Sequence, residues 1–275
     1  MILMMALLLA ITAQAQTNNS IRLIRNATLR IQYAGQQILV DPMLGEKGTV
    51  MSALNVNANP RVNLVMPVKE VLKGIDFTLL THTHFDHYDS AAVRSIQKDM
   101  RWYVQTEDLQ QVKARDGFFR AVGVADSVTH DGITIIRVRG SHGRGEIAKL
   151  MGFSSGYVLK AKGQPTIYIM GDCVWDDDTK RAVQTHQPDY IVMNTGGNIL
   201  IPLSITDGPL TMNEKEALTM ISECDANTRF IAVHMDAVDH GQTTRSILRN
   251  QAVHDHMDMR RLLIPEDGET IVLEK

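Results

Sequence analysis

The stretch Thr78 to Ser90, TLLTHTHFDHYDS, sets three histidines and two aspartates between His82 and Asp89, directly behind an apolar run. That run, within GIDFTLLTH, is continuously apolar rather than alternating, the pattern of a buried strand. His82 and His84 are two apart, so at an extended strand end both imidazoles point to the same side. Asp86 and His87 follow on the turn entering the next helix. Neutral imidazole and carboxylate are the ligands that suit Zn and related divalent ions. With only ten histidines in 275 residues, three within six positions form a cluster rather than the ordinary content of a polar loop. A buried strand that ends in a metal site is the first constraint on the fold.

The rest of the chain supplies partners for that strand. IRLIRN, ATLRIQY and QQILVD are short alternating segments, and RWYVQT, GITIIRVRG, SGYVLKA and PTIYIMGD continue the series. DSAAVRSIQKD and EDLQQVKAR read as helices between them. The second half adds helices at DDTKRAVQTH, MNEKEALTMISEC and TTRSILRNQA. It adds strands at PDYIVMN, TRFIAVHM, RRLLIP and ETIVLE. Thr211 and Glu214 are spaced as a capping box before the middle helix. Strands interleaved with exposed helices predict packed sheets covered by helices on both outer faces. Met43 to Lys69 and Gly196 to Pro209 stay unassigned, and loops of that length are usually lids or binding loops. Their apolar members, Met43, Met51, Met66, Ile199, Leu200, Ile201 and Leu203, suit either a substrate pocket or a subunit interface, so a homo-oligomer stays open.

Composition excludes more than it assigns. A formal charge of -3 and the lack of a basic run argue against a nucleic-acid partner. The opening MILMMALLLAITAQAQ is an apolar run ending in Ala13-Gln14-Ala15, a cleavage pattern. It is too short to span a bilayer, which takes roughly 20 residues. Residues 1–15 are therefore expected to be a signal peptide, and 16–275 a single hydrolase domain in the periplasm or secreted, with no stable membrane insertion. The two cysteines, Cys173 and Cys224, make no disulfide framework and are expected to be separate thiols.

The run His82-Thr83-His84-Phe85-Asp86-His87 resembles the H-x-H-x-D-H signature of the metallo-β-lactamase superfamily. In the order that family uses, His142 follows a strand in RGSHGRG, Asp172 ends a strand in YIMGDCVWDD, and His234 ends a late strand in FIAVHMD. The resemblance covers essentially the whole mature chain. Gly171-Asp172, Asn194 to Gly197 and the late H-x-D-x-x-x-H are similar to the L-ascorbate-6-phosphate lactonase-like branch. The resemblance implies an α/β four-layer αββα sandwich with two metals at one edge of the sheets. His82, His84 and His142 would hold one ion, and Asp86, His87 and His234 the other. Asp172 would bridge them beside a bridging hydroxide. Zn is the first expectation for these cofactors, with Mn or Fe also compatible with the ligands. Two divalent ions about 4 Å apart lower the pKa of a shared water and clamp attacking and leaving oxygens.

The departures from other branches narrow the expected chemistry. His84 stands where oxygen-reducing di-iron relatives have Glu, and Asp172 where the best-known β-lactamase subclass has Cys. A small-molecule hydrolase is expected, with Asp86 and Asp172 as its acidic catalytic residues and a lactone or carboxylic ester as substrate. A phosphodiesterase or phospholipase D-like hydrolase with the same dinuclear site is the alternative, and a metal-binding sensor without turnover is the non-enzyme one. His240, Arg144 and Asn194 are candidates for substrate contact. For His240 the plain alternative is capping the following helix, and for Arg245 a solvated helix position outweighs anion binding.

Overall fold

A computed structural model describes residues 18–52, 54, 57–200 and 208–274. The expected signal segment lies outside these residues, as do Ile201 and Leu203. Two seven-stranded sheets face each other. The first holds β1 (Ser20–Arg25), β2 (Thr28–Tyr33), β3 (Gln36–Val40), β4 (Phe77–Leu80), β5 (Arg101–Gln105) and β6 (Ala121–Val124), with the last strand, β14 (Thr270–Val272), against β1. The second runs β13-β12-β11-β10-β9-β8-β7. Its members are β7 (Ser127–His130), β8 (Ile133–Gly140), β9 (Ser154–Ala161), β10 (Ile167–Ile169), β11 (Tyr190–Asn194), β12 (Arg229–Val233) and β13 (Leu262–Leu263).

Each sheet is antiparallel on one side and parallel on the other. β3, β4, β5 and β6 pair in parallel, as do β10, β11, β12 and β13. Parallel strands need both faces covered, which accounts for the unbroken burial of β4, β10 and β11. Their inner faces form one core. Ile31, Ile38, Phe77 and Leu79 from the first sheet pack with Ile135, Tyr157, Leu159, Val192 and Ile231 from the second.

The outer faces are covered by helices. α1 (Val68–Leu72) and α2 (Ser90–Ser95) lie over the first sheet, where Val71 and Ala92 join Leu39, Leu80, Trp102 and Val104. α4 (Asp177–His186), α5 (Glu214–Glu223) and α6 (Arg245–His254) cover the second through Ala182, Leu218, Ile221 and Leu248. The short α3 (Gly145–Met151) follows β8. The layering is αββα, the metallo-β-lactamase fold expected from the resemblance.

Several local expectations change. EDLQQVKAR is helical throughout but irregular, a 3-10 turn, Thr106–Asp108, running through Leu109 and Gln110 into a π turn, Gln111–Arg115. α5 is capped by Asn213, whose side chain accepts from Glu216 N, while Thr211 donates to Asn198 Oδ1 at 2.8 Å. Met43 is core rather than pocket lining. Cys173 and Cys224 are free, the first buried. Among the described residues no helix is long and apolar enough to cross a membrane.

Candidate metal centre

β4 delivers Thr81 and His82 to the sheet edge, and a turn then folds the motif back. His87 N and Tyr88 N both donate to His84 O, and Asp89 caps α2 by accepting from Ala92 N. This coils Asp86 and His87 beneath His82, so that His82 stacks against His84 at 4.4 Å and His87 at 4.2 Å between ring centroids.

The second sheet brings the remaining groups to the same edge. β8 leads to His142, β10 to Asp172, and β12 to His234, whose amide donates to Asn26 O at 2.9 Å. Gly171 holds φ +70, and a Cβ there would meet Ser155 O at 2.7 Å and the Thr81 side chain at 3.1 Å. Only glycine lets this strand end turn Asp172 inward so close to β4. Gly196 is tight for a similar reason, since a Cβ would stand 2.5 Å from His234 O.

Which ring nitrogens face inward follows from their outer partners. A carbonyl can only accept, so His84 must donate Nε2–H to Met151 O at 3.1 Å, and His142 must donate Nδ1–H to Leu210 O at 3.1 Å. Their remaining nitrogens, His84 Nδ1 and His142 Nε2, are then lone-pair atoms only 3.2 Å apart. His82 uses Nδ1 on Thr81 Oγ1 at 3.0 Å and leaves Nε2 buried with no partner. His87 Nδ1 stands 2.8 Å from Asp41 Oδ2, and its Nε2 meets His234 Nε2 at 3.0 Å. His234 Nε2 also lies 3.2 Å from Asp86 Oδ2. The Asp172 carboxylate sits between the two sets, Oδ1 at 3.2 Å from His87 Nε2 and Oδ2 at 3.5 Å from His142 Nε2.

These groups fit divalent cations. His82, His84 and His142 converge within 4.8 Å, as do Asp86, His87 and His234, and as do His82, His87 and Asp172. A tetrahedral ion with bonds of about 2.0–2.1 Å to nitrogen spaces its ligands about 3.3–3.4 Å apart, close to the contacts found. Facing lone pairs and a partnerless buried nitrogen are unfavourable unless a cation lies between them. The protonation of His82, His142, Asp86 and Asp172 agrees. Burial, with His84 and His87 alongside, pushes His82 well below the usual histidine range, and burial pushes His142 down to about 4. Burial alone would raise Asp86 and Asp172, but the surrounding imidazoles outweigh it and hold both well below the usual carboxylate range. Neutral imidazoles and ionised carboxylates are the metal-binding forms.

Sequence reasoning missed the group that orients His87. Asp41, at the end of β3 with φ 44, is buried and accepts from Thr81 N at 2.8 Å and Thr81 Oγ1 at 2.7 Å. A carboxylate behind a ligating histidine fixes its ring and raises its basicity. The only signal was an Asp directly after the strand QQILV. Asn26 was missed as well, though its Nδ2 donates to Asp86 O at 3.0 Å.

The three substrate candidates separate. Asn194 donates Nδ2–H to Asp172 Oδ1 at 2.6 Å, so it aligns the shared carboxylate. Arg144 is paired with Glu216, which also accepts from Trp175 N. His240 is buried beside the second set, with Nε2 3.4 Å from Asp86 Oδ2 and its ring edge-on to Phe85 at 5.8 Å. Arg245 is neither solvated nor free, since it is buried and bound to Asp236 and Asp267.

The profile of the Beta-lactamase superfamily domain matches residues 36–235, a span that contains every ligand above. The chain belongs to the β-lactamase superfamily. Within that superfamily it is 36% identical over 253 residues to the UPF0173 protein YddR of Bacillus subtilis, covering 90% of this chain and 97% of YddR. A UPF0173 metal-dependent hydrolase of Azorhizobium caulinodans is 26% identical over 62% of this chain and 70% of its own length. A possible metal-dependent hydrolase from Veillonella parvula superposes with TM-score 0.88 and 30% identity, over 94% of this chain and all 100% of its own. An isothiocyanate hydrolase from Delia radicum gut bacteria does so with TM-score 0.84 and 34% identity, over 93% and 100%. This β-lactamase-superfamily protein is a metal-dependent hydrolase.

Proposed function

We propose that the protein is a dinuclear hydrolase of small uncharged substrates at an electrophilic carbon, an isothiocyanate first and a lactone or carboxylic ester second. The observation that carries this reading is the neighbourhood of the ligands. Thr81, Asp41, Met151, Leu210, Asn194 and Asn26 bond directly to them, and none carries a positive charge. Arg144, the nearest guanidinium along the chain from His142, is engaged by Glu216. A phosphodiester would ordinarily meet a cationic fork. The isothiocyanate reading draws on the 34% identical hydrolase, and the ester reading on the Asn194 to Gly197 resemblance.

Two divalent ions, Zn in the first place, would supply a water of lowered pKa and a Lewis acid for the electrophile. The chain's own contribution is positioning. Asn194 holds Asp172 so that one oxygen serves each ligand set, and Asp41 holds His87. Half-buried Phe85 packs edge-on against buried His240 beside Asp86 and limits water around the substrate. Export after loss of residues 1–15 belongs to the same reading, resting on the Ala13-Gln14-Ala15 site.

The test compares kcat/KM on allyl and benzyl isothiocyanate, a simple lactone series and bis-(p-nitrophenyl) phosphate, with metal content measured alongside. Turnover of isothiocyanate or lactone well above the phosphodiester is expected. A clear phosphodiester preference would overturn the proposal.

A further inference from the structure

The segment between β12 and α6 carries a second histidine that no ligand set uses. His240 is 5% exposed. Its carbonyl accepts from Ile199 N at 2.9 Å, its Nε2 faces Asp86, and its Nδ1 is buried with no hydrogen-bond partner. Asp239 Oδ1 lies 3.5 Å from that Nδ1. The ring thus lies between a carboxylate on the protein side and the metal-ligand edge on the other.

Asp239 is itself unusual. Its side chain is 1% exposed, yet its partners are neutral donors: Ser52 Oγ, Asn59 Nδ2 at 2.9 Å and Asn57 N at 3.4 Å. The Asp239 amide donates in return to Asn59 Oδ1 at 2.9 Å. Burial works against the charge, but these donors outweigh it and hold the carboxyl at about 2. The donors all come from one strap. Val50 and Asn59 exchange backbone bonds of 2.7 and 2.8 Å, and Arg61 N donates to Ala237 O at 2.8 Å. The fully buried Arg25 fixes the strap's two ends through Met43 O, Gly45 O and Val62 O. A buried carboxylate is costly to keep ionised without a cation, and the cation-capable group it faces is the His240 ring.

We propose that His240 contacts the substrate through Nε2, and that Asp239, held by Ser52, Asn57 and Asn59, is the positioning residue that fixes its ring. This rests on the carbon-electrophile reading for the substrate class, though not for the geometry. Nδ1–H directed at Asp239 fixes the ring with Nε2 beside Asp86, where it hydrogen-bonds the reacting water. Phe85 edge-on to the ring keeps it from swinging away.

The experiment uses the zinc-loaded full protein. His240→Phe keeps the ring contact with Phe85 and removes the hydrogen bond, while His240→Gln restores one. His240→Phe should lower kcat on the best substrate by about a hundredfold, the scale for one polar group lost from a reacting centre, with His240→Gln between it and wild type. Metal content should stay at the wild-type value. Asp239→Asn should lower kcat by about tenfold with KM little changed. In 15N-histidine spectra of zinc-loaded protein without substrate, His240 should show the Nδ1–H tautomer, and Asp239→Asn should erase that preference. Loss of one metal equivalent in His240→Phe would make His240 a ligand and overturn the proposal, as would unchanged kcat or the opposite tautomer. If wild type cleaves only bis-(p-nitrophenyl) phosphate, the substrate reading fails and the variants are compared on that compound. The spectra decide the positioning claim in either case.

Discussion

The two ligand sets are built from the same motif but anchored differently. His84 and His142 of the first set are held by carbonyls of Met151 and Leu210, which belong to connecting segments. Met151 ends α3 beside Leu150 and Phe153, which are 76% and 57% exposed. His84 is only half-buried. The second set has no such dependence. His87 and His234 are wholly buried, Asp41 backs His87, and Asn26 ties Asp86 and His234 to the β1–β2 turn. The first set is three imidazoles, two of them held by the carbonyls of Met151 and Leu210 and His82 by Thr81 Oγ1, and the second two imidazoles and a carboxylate on the frame of the sheet. Ligand type alone would call the sets similar. Their supports differ, and supports set affinity and exchange.

Asp172 belongs to both sets, so its removal should have the largest effect. Asp172→Ala leaves His87 Nε2 and His142 Nε2 without their shared counter-charge, and two cations there would repel one another unscreened. Activity should fall on the order of a thousandfold. The fold should survive, because no packing in the core between the sheets involves this side chain. Turnover near wild type in a variant of normal circular dichroism would remove the bridge, and with it the idea of two linked sets.

Asp41→Asn should sharpen the contrast by loosening the second set more than the first, which Asp41 reaches only through Thr81. Asn keeps the size but can turn an amide donor toward His87 Nδ1, which then loses its acceptor. Loss of such a support typically costs 10–100-fold in metal affinity. The expected outcome is a biphasic zinc titration in which one phase drops by about that factor and the other shifts much less. An equal loss in both phases would mean that the supports are not independent.

These supports mark the limit of what the sequence discloses. His82, His84, Asp86 and His87 were legible because their spacing is local, and His142, Asp172 and His234 because each ends a strand in family order. Asp41 has no local partner, and its bond to Thr81 forms only once β3 and β4 pair in parallel. The strands of the core were legible through alternation and apolar runs. β6, β7 and α3 were not, being short and, for β7, exposed at a sheet edge. EDLQQVKAR has helical composition, but Gln105, Thr106, Glu107 and Asp108 are drawn into bonds with Phe153 O, Arg137 and Thr83. Those tertiary bonds hold its first turn, which is 3-10 rather than α. Arg245 failed for the same reason, its ion pairs being formed with residues far along the chain.

Protons should also tell the two sets apart. Burial lowers the affinity of His87 for a proton, but Asp172 and Asp41 outweigh it and raise the group well above the usual histidine range. Without metal, His87 therefore carries a proton at neutral pH that an incoming ion must displace. His82 and His142 are shifted the other way and carry none until about pH 4 for His142. As pH falls from 7.5 to 5.5, affinity at the second set should drop by about tenfold per pH unit, while His82 and His142 hold no proton to be displaced. Metal analysis after dialysis should approach one ion at the lower pH, and zinc addition to weakly buffered metal-free protein should release protons. Equal loss from both sets, or no proton release, would contradict the difference.

The smallest effect is expected at Arg144, the one guanidinium adjacent in sequence to the loop-supported set. Its partner Glu216 keeps a second bond from Trp175 N at 2.9 Å when the arginine is removed. The pair is partly solvated, with the arginine side chain 37% exposed, and such pairs contribute below about 1 kcal/mol. Arg144 also precedes α3 without a side-chain cap bond, so Arg144→Ala leaves the helix start intact. On an uncharged substrate the variant should keep kcat/KM within about twofold, since a neutral molecule gains nothing from a distant screened cation. On bis-(p-nitrophenyl) phosphate any residual activity should fall further than that. A loss of tenfold or more on isothiocyanate or lactone would show that Arg144 leaves Glu216 to meet the substrate, and the loop-supported set would then be where specificity resides.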